Sequence, residues 1–308
     1  MANFTEAATG TVALDAHLIT AYQKMFLIEQ ENLAQGLDSL CNIKFTGMQK
    51  TASFPKYSGL AVATTALTEL EDLTSVACVD APITVTPVEQ GNVVTRTMLV
   101  NVQSGGVPDM AIPRLVAKNM RETLETLMIK VGEAGTNELT VNATNEATTA
   151  STDILTAAWV KKARNKLARV GAQQPWSCII HPDVLYDLMT ETGTQSWTEV
   201  LQRTGQENYR VFTAKIPEFG GFTFYETPLV TVNTDVGAGA VDTYHTQFFG
   251  YNAFGKAVSV EPHMVFSGPF DKLGRFINIG WYGILLYKLV DTDYHWIVTS
   301  ASTVGSNA

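Results

Sequence analysis

Cysteine is nearly absent: Cys41, Cys78 and Cys178 are the only three in 308 residues. An odd number without CxxC spacing excludes a disulfide framework and a zinc knuckle, so reduced, buried thiols are expected. Charge is also scarce, at 17% of residues against the usual quarter or so. The surface must then be uncharged and polar, or covered, and large subunit interfaces are depleted in charge at their centres. Basic residues are the rarer sign, 21 against 30 acidic ones, for a net charge of −9. Such a chain repels phosphate backbones, which excludes a dedicated nucleic-acid binder and makes protein the expected partner. No uninterrupted apolar run of about 18 residues occurs, and Met1 to Gly10 holds no basic cluster leading into an apolar core. A soluble protein made inside the cell is expected. No internal repeat is visible. GxSxG is missing, and the cysteines and five histidines form no recognisable constellation. Catalysis therefore has no support, and neither cofactor nor metal is expected.

What is present is a large core and a change of pattern along the chain. Leu14, Leu18, Tyr22, Met25, Phe26 and Leu33 make a mostly apolar stripe, predicting a helix over 14–40 that stops near Gly36. From Thr46 to Val102 the pattern is short, Thr-rich and of period two. It predicts a hairpin over 82–102, with a strand from Pro82 to Val88, a turn at Glu89-Gln90-Gly91-Asn92, and a second strand from Val93 to Val102. Asp109 to Val131 gives the clearest helix, with Ile112, Val116, Met120, Leu124, Leu127, Met128 and Val131 on one stripe. Gly132 to Thr152 reads as linker and strand edges. A helix over 153–170, a strand over 176–180 and a short helix ending near Met189 suggest a small α/β unit. From Lys215 onward β signals dominate: Phe222–Tyr225, Val230–Val232, Thr243–Phe249, Ala257–Val260, Phe276–Ile279 and Gly283–Thr299. The order is that of an α+β protein.

Four motifs have a functional and a plain reading. Gly250 to Lys256 fits the glycine and lysine spacing of a phosphate loop, but Ala257 stands where a magnesium-binding hydroxyl belongs, and the following residues read as strand where a helix is needed. Asp291, Asp293 and His295 would share one face of a strand and could bind a metal, yet no second ligand cluster exists and a solvated face is the better reading. His181-Pro182-Asp183 is similar to the tripeptide by which J-domain cochaperones engage their partner, but that one sits between two helices and this one follows a strand, so it reads as a helix start, with proline in the first turn and a carboxylate at the positive end of the dipole. Lys161, Lys162, Arg164, Lys166 and Arg169 load one side of the second helix opposite Ala157, Val160, Ala163, Leu167 and Val170. That face is either solvated or turned toward an acidic neighbour.

Taken in order, these strings resemble the tailed-bacteriophage major capsid protein family, whose fold encapsulin shells share. The resemblance is carried by Ala66-Leu67-Thr68-Glu69, His181 to Met189, Ser196 to Val200, Ile216 to Thr227, Phe248 to Lys256, Asp271 to Gly274 and Gly280-Trp281-Tyr282. It covers about residues 14 to 300. No proline follows Asp271, and Leu70-Glu71 stands where many relatives have glycine, so local geometry there departs from the pattern.

The resemblance implies an N-terminal arm (1–45), an extended-loop region (46–102), a peripheral domain with a long spine helix (103–150), an axial domain (151–245) and a return to the peripheral domain (246–308). It implies self-assembly through hexamers and pentamers into an icosahedral or prolate DNA-filled head. A separate scaffolding protein, a portal and a decoration protein are the expected partners, with assembly in the host cytoplasm and final residence in the virion. DNA would be enclosed without specific binding, because each neutralised phosphate adds salt-dependent affinity that hinders release. An isolated hairpin is marginal in water, so the extended loop should clamp a neighbouring subunit. Val85, Val88, Arg96, Met98, Lys161, Lys162 and Arg164 are the expected assembly residues. Alternatives are an encapsulin-like compartment, a β-rich tail or receptor-binding module, which leaves the helix at 109–131 unexplained, and, third, a metal enzyme at Asp291, Asp293 and His295.

Overall fold

The computed structural model describes residues 20, 22–27, 36–47, 49–57, 59–60, 62, 64, 69, 75–97, 111–193, 196, 218–267 and 275–304. Two sheets and a long helix organise them. The first sheet has the order β1-β10-β11-β4, built from β1 (Asn42–Phe45), β4 (Val88–Thr97), β10 (Phe254–Ser267) and β11 (Phe276–Leu289). Strands β10 and β11 are fourteen residues each, and β11 alternates so that Ile277, Ile279, Trp281, Leu285 and Tyr287 are buried on one face. Period-two burial of this kind is what a sheet packed on one side requires.

The helix α1 (Ala111–Glu133) covers that face. Its first half sets Val116, Ala117 and Met120 against Ile277, Ile279 and Trp281, and residues 22–27, which are helical, add Tyr22 and Phe26. The Trp281 indole N–H donates to Asn119 Oδ1 at 3.0 Å, satisfying the polar end of a buried ring. Its second half sets Met128 and Ile129 into a core shared with Phe249, Phe254, Leu285 and Tyr287. At 23 residues it runs about 35 Å, long enough to tie both sheets together.

The second sheet has the order β5-β12-β9-β6-β7, with β8 pairing β9. Its strands are β5 (Glu138–Thr140), β6 (Trp176–Ile180), β7 (Phe222–Glu226), β8 (Val232–Asn233), β9 (Thr243–Phe249) and β12 (His295–Ser300). Every residue of β6 is buried. Trp176, Cys178 and Ile180 face the core beneath α2 (Ala157–Val170) and α3 (Pro182–Thr190), while Ile179 faces the core that holds the second half of α1. A strand buried on both sides reads as a continuous apolar run, as this one does. The helix α2 ends at Gly171, whose φ of 74° suits a left-handed cap. Its first amide, on Ala157, donates to Glu191 Oε2 at 2.8 Å from beyond the end of α3.

Three expectations need correction. The helix predicted over 14–40 does not reach 40: Leu37–Leu40 is a 3₁₀ turn, and Asn42–Phe45 already pairs with β10, inside the span assigned to the arm. The hairpin over 82–102 does not form. Residues 88–97 are one strand paired with β11 throughout, with Gly91 opposite Tyr282 and Asn92 opposite Trp281, so the predicted turn lies in mid-ladder. The third concerns thiols: Cys41 and Cys178 are buried, but Cys78 is exposed. The strings at 66–68, 197–200, 216–217 and 271–274, and Met98, lie outside the described residues.

Candidate assembly surface

An extended ribbon does exist within the 46–102 region, on different arms from those predicted. Strand β2 (Ala52–Phe54) pairs antiparallel with β3 (Ile83–Val85), and a bridge between Tyr57 and Asp80 continues the pairing outward. The Ala81 amide donates to the Lys56 carbonyl at 2.9 Å. Ala52, Phe54 and Val85 anchor the ribbon's base on Ala257, with Leu286 and Val290 packed alongside. Lys56 Nζ also reaches Asp291 at 3.0 Å. Beyond this base Tyr57, Leu60, Val62, Val76 and Val79 are exposed, Val62 at 85% and Val76 at 74%. Five large apolar side chains on one excursion are the kind of surface that another body covers.

The residues expected to carry assembly separate. Val85 is 1% exposed and is spent inside the chain, so it presents no surface. Val88 is exposed at the start of β4, and Arg96 lies half-buried opposite Ile277. Lys161, Lys162 and Arg164 are exposed on α2, over the buried stripe of Ala157, Val160, Ala163 and Leu167. Lys162 Nζ lies 3.4 Å from the centre of the Trp159 ring, Arg164 stands 6.0 Å from that of Trp176, and Lys166 is 5.0 Å from Trp296. These contacts set the charged ends of three of the basic side chains over indole rings. The exposed apolar residues of the excursion were missed by sequence reading, although Leu60, Val62, Val76 and Val79 between two short strands were there to be read.

The remaining motifs resolve into structure. Gly250 to Ala253 turns directly into β10, and Lys256, 4% exposed, donates to Asp38 Oδ2 at 2.7 Å. Asp38 Oδ1 accepts from the Tyr287 hydroxyl at 2.6 Å. Burial first, and then the Asp38 charge, push the Tyr287 hydroxyl pKa upward, so it stays a donor. The would-be phosphate lysine thus staples the 3₁₀ turn to the first sheet. Asp291, Asp293 and His295 do not share a strand face: residues 292–294 form a 3₁₀ turn in which Asp291 Oδ1 accepts from the Asp293 amide at 3.1 Å. His295 points inward, fully buried between Phe249 and Phe254, with Nε2 3.3 Å from Gln247 Oε1, and burial lowers its pKa to about 3. Among the described residues no three His, Cys, Asp or Glu side chains gather to hold a metal.

His181 caps α3, its Nδ1 accepting from the Asp183 amide at 3.2 Å. That bond needs an unprotonated Nδ1, in keeping with a pKa lowered by burial despite the nearby Asp183 and Glu226 carboxylates. Glu146 accepts from Thr243 at 2.5 Å, Asn233 at 2.7 Å and His245 at 3.0 Å. Burial alone would raise its pKa, and these donors outweigh that and lower it. The cluster ties the loop before α2 to β8 and β9.

No family model matches the chain, and no curated protein matches its sequence. Solved structures do match. The capsid of Ralstonia phage GP4 aligns with a TM-score of 0.64 at 14% identity, over 87% of this chain and 88% of that one. The cyanophage Pam1 capsid aligns at 0.63 and 13% identity, over 83% and 86%. A virus-like particle from Pyrococcus furiosus aligns at 0.57 and 10% identity, over 91% and 98%. The chain has the α+β fold of these shell proteins.

Proposed function

We propose that this chain is the major capsid protein of a tailed bacteriophage, a structural subunit and not an enzyme. Many copies close into an icosahedral or prolate head around the genome. One observation carries this: a chain with the capsid fold has a ribbon whose base is packed on its own body and whose apolar residues just beyond that base, Tyr57 to Val62 and Val76 to Val79 among those described, are exposed. Covering those side chains at about 25 cal/mol per Å² gives each contact several kcal/mol, and repetition over a shell multiplies it. Hexamers and pentamers are the capsomers this reading calls for. A scaffolding protein, a portal and a decoration protein are its expected partners, and the host cytoplasm is its place of assembly. The charge of −9 suits walls that confine DNA without holding it.

Electron microscopy of the purified protein, alone and with co-expressed scaffolding protein, tests the proposal. Shells are expected from the parent chain. A variant lacking 59–79, which spares β2 and β3, should stay folded and form none. A rigid monomer at high concentration under both conditions, or normal shells from the deletion variant, would overturn it. The Pyrococcus particle supplies a second reading, a cellular compartment of the same fold. Enzyme cargo in place of DNA inside particles from the native source would favour it.

A further inference from the structure

The helix α2 concentrates charge of one sign. Lys161, Lys162, Arg164, Lys166 and Arg169, out of 21 basic residues in the whole chain, lie within its 14 residues, which include no acidic one, although the net charge of the chain is −9. Lys162 and Lys166 are spaced i, i+4, and Lys161 with Arg164 and Lys166 with Arg169 are spaced i, i+3. Like charges at these spacings destabilise a helix. Among the described residues, Lys162, Arg164, Lys166 and Arg169 form no ion pair that would relieve this. The other exposed positions of the helix, Ala158, Asn165, Ala168 and Val170, add no carboxylate. Lys162, Arg164 and Lys166 already rest over Trp159, Trp176 and Trp296, which reduces the side-chain freedom lost when an anion binds.

Resting on the shell reading above, we propose that this face of α2 contacts the phosphate backbone of the packaged duplex, without reading its sequence. A duplex carries one charge per about 1.7 Å of axis, whereas an extended acidic polypeptide carries at most one per about 3.3 Å. The denser anion releases more condensed counterions when the same cations neutralise it, which favours DNA over an acidic protein segment. From Lys162 to Arg169 the helix advances roughly 10 Å, a length that meets about three phosphates of one strand. A contact of that size is weak and screened by salt, and the acidic remainder of the chain repels DNA. The wall as a whole therefore confines the genome, and α2 is where the duplex comes nearest to it.

Two measurements test this. In the first, a labelled duplex is titrated with unassembled full-length subunits at a series of salt concentrations, and fluorescence anisotropy reads binding. The parent is compared with Lys162→Gln/Lys166→Gln/Arg169→Gln and with Lys24→Gln/Lys118→Gln/Lys130→Gln, which removes three exposed lysines elsewhere. Circular dichroism establishes that each is folded. The α2 variant is expected to bind at least about tenfold more weakly at about 0.05 M salt and to lower the slope of log K against log salt by about 2 to 3, while the second variant stays within about twofold of the parent. No duplex binding by the parent at that salt, or equal losses in both variants, overturns the proposal. Polyglutamate of equal charge binding the parent as tightly as the duplex does would assign the face to an acidic protein and likewise overturn it. In the second, formaldehyde links lysines to DNA inside filled heads from the native source, and mass spectrometry identifies the DNA-bound peptides. Peptides carrying Lys161, Lys162 or Lys166 are expected among them. DNA-bound peptides from elsewhere in the chain only would overturn the α2 contact and leave the capsid reading standing, whereas particles without DNA remove both readings together.

Discussion

Asp38, Lys256 and Tyr287 meet where the N-terminal 3₁₀ turn crosses the first sheet, and the two charges there are unequally buried: the Lys256 side chain is 5% exposed and that of Asp38 38%. Removing either partner breaks the same 2.7 Å bond, yet the consequences should differ. Asp38→Ala leaves an ammonium sealed against the Tyr287 ring without a counter-ion, and also strips the Tyr287 hydroxyl of its acceptor. A cost of about 3–5 kcal/mol is expected. Lys256→Met keeps the stem packed on Tyr287, and the carboxylate left behind is open to water and still bonded to the hydroxyl, so about 1 kcal/mol is expected. The double variant, which buries no charge at all, should be more stable than Asp38→Ala alone, a non-additivity expected only of directly coupled groups. Urea denaturation of unassembled subunits, followed by tryptophan fluorescence, separates these values. A Lys256→Met cost equal to or above that of Asp38→Ala, or a double variant as weak as the sum of the two, would show that burial of the ammonium is not what ties the pair to the fold.

Gly132→Ala should destabilise by about 1–3 kcal/mol in thermal melts, although alanine within a helix ordinarily gains about 1 kcal/mol over glycine. The added Cβ would stand 2.0 Å from Gln247 Oε1, whose side chain holds both the Ile129 carbonyl and His295. His295 is neutral when folded, and the unfolded chain takes up a proton there near pH 6.5. Stability is therefore lost as pH falls from about 6.5 toward about 3, and His295→Gln should flatten that limb of the urea midpoint against pH. Val85→Asp would place a carboxylate under the base of the ribbon, at a position 1% exposed. It should cost several kcal/mol and release the excursion to protease, whereas Val88→Asp, at an exposed position, should change stability by less than about 0.5 kcal/mol.

Local pattern was sufficient wherever an element's own apolar spacing or cap sets its bounds. The apolar spacing from Ile112 to Val131 marked α1, His181-Pro182-Asp183 marked the start of α3, and the apolar run Trp176–Ile180 and Thr243–Phe249 marked β6 and β9 with the bounds the structure has. The phosphate-loop near miss was also readable, because Ala257 and the valines after it belong to a strand. Sequence failed where the partner is remote. Glu89-Gln90-Gly91-Asn92 has turn composition, yet β11, nearly two hundred residues later, supplies a continuous ladder that outweighs it, with Gly91 and Gly280 letting the two backbones approach. The same distance in sequence hid the true arms of the ribbon, whose short strands pair across thirty residues and are secured by Ala257.

Composition, charge and apolar spacing on their own marked an acidic α+β chain with a long helix. Only the tertiary structure decided which apolar residues are spent within the chain and which stay exposed, because a valine's side chain is the same at 85 and at 62. What separates them is the body that folds over one and leaves the other in water.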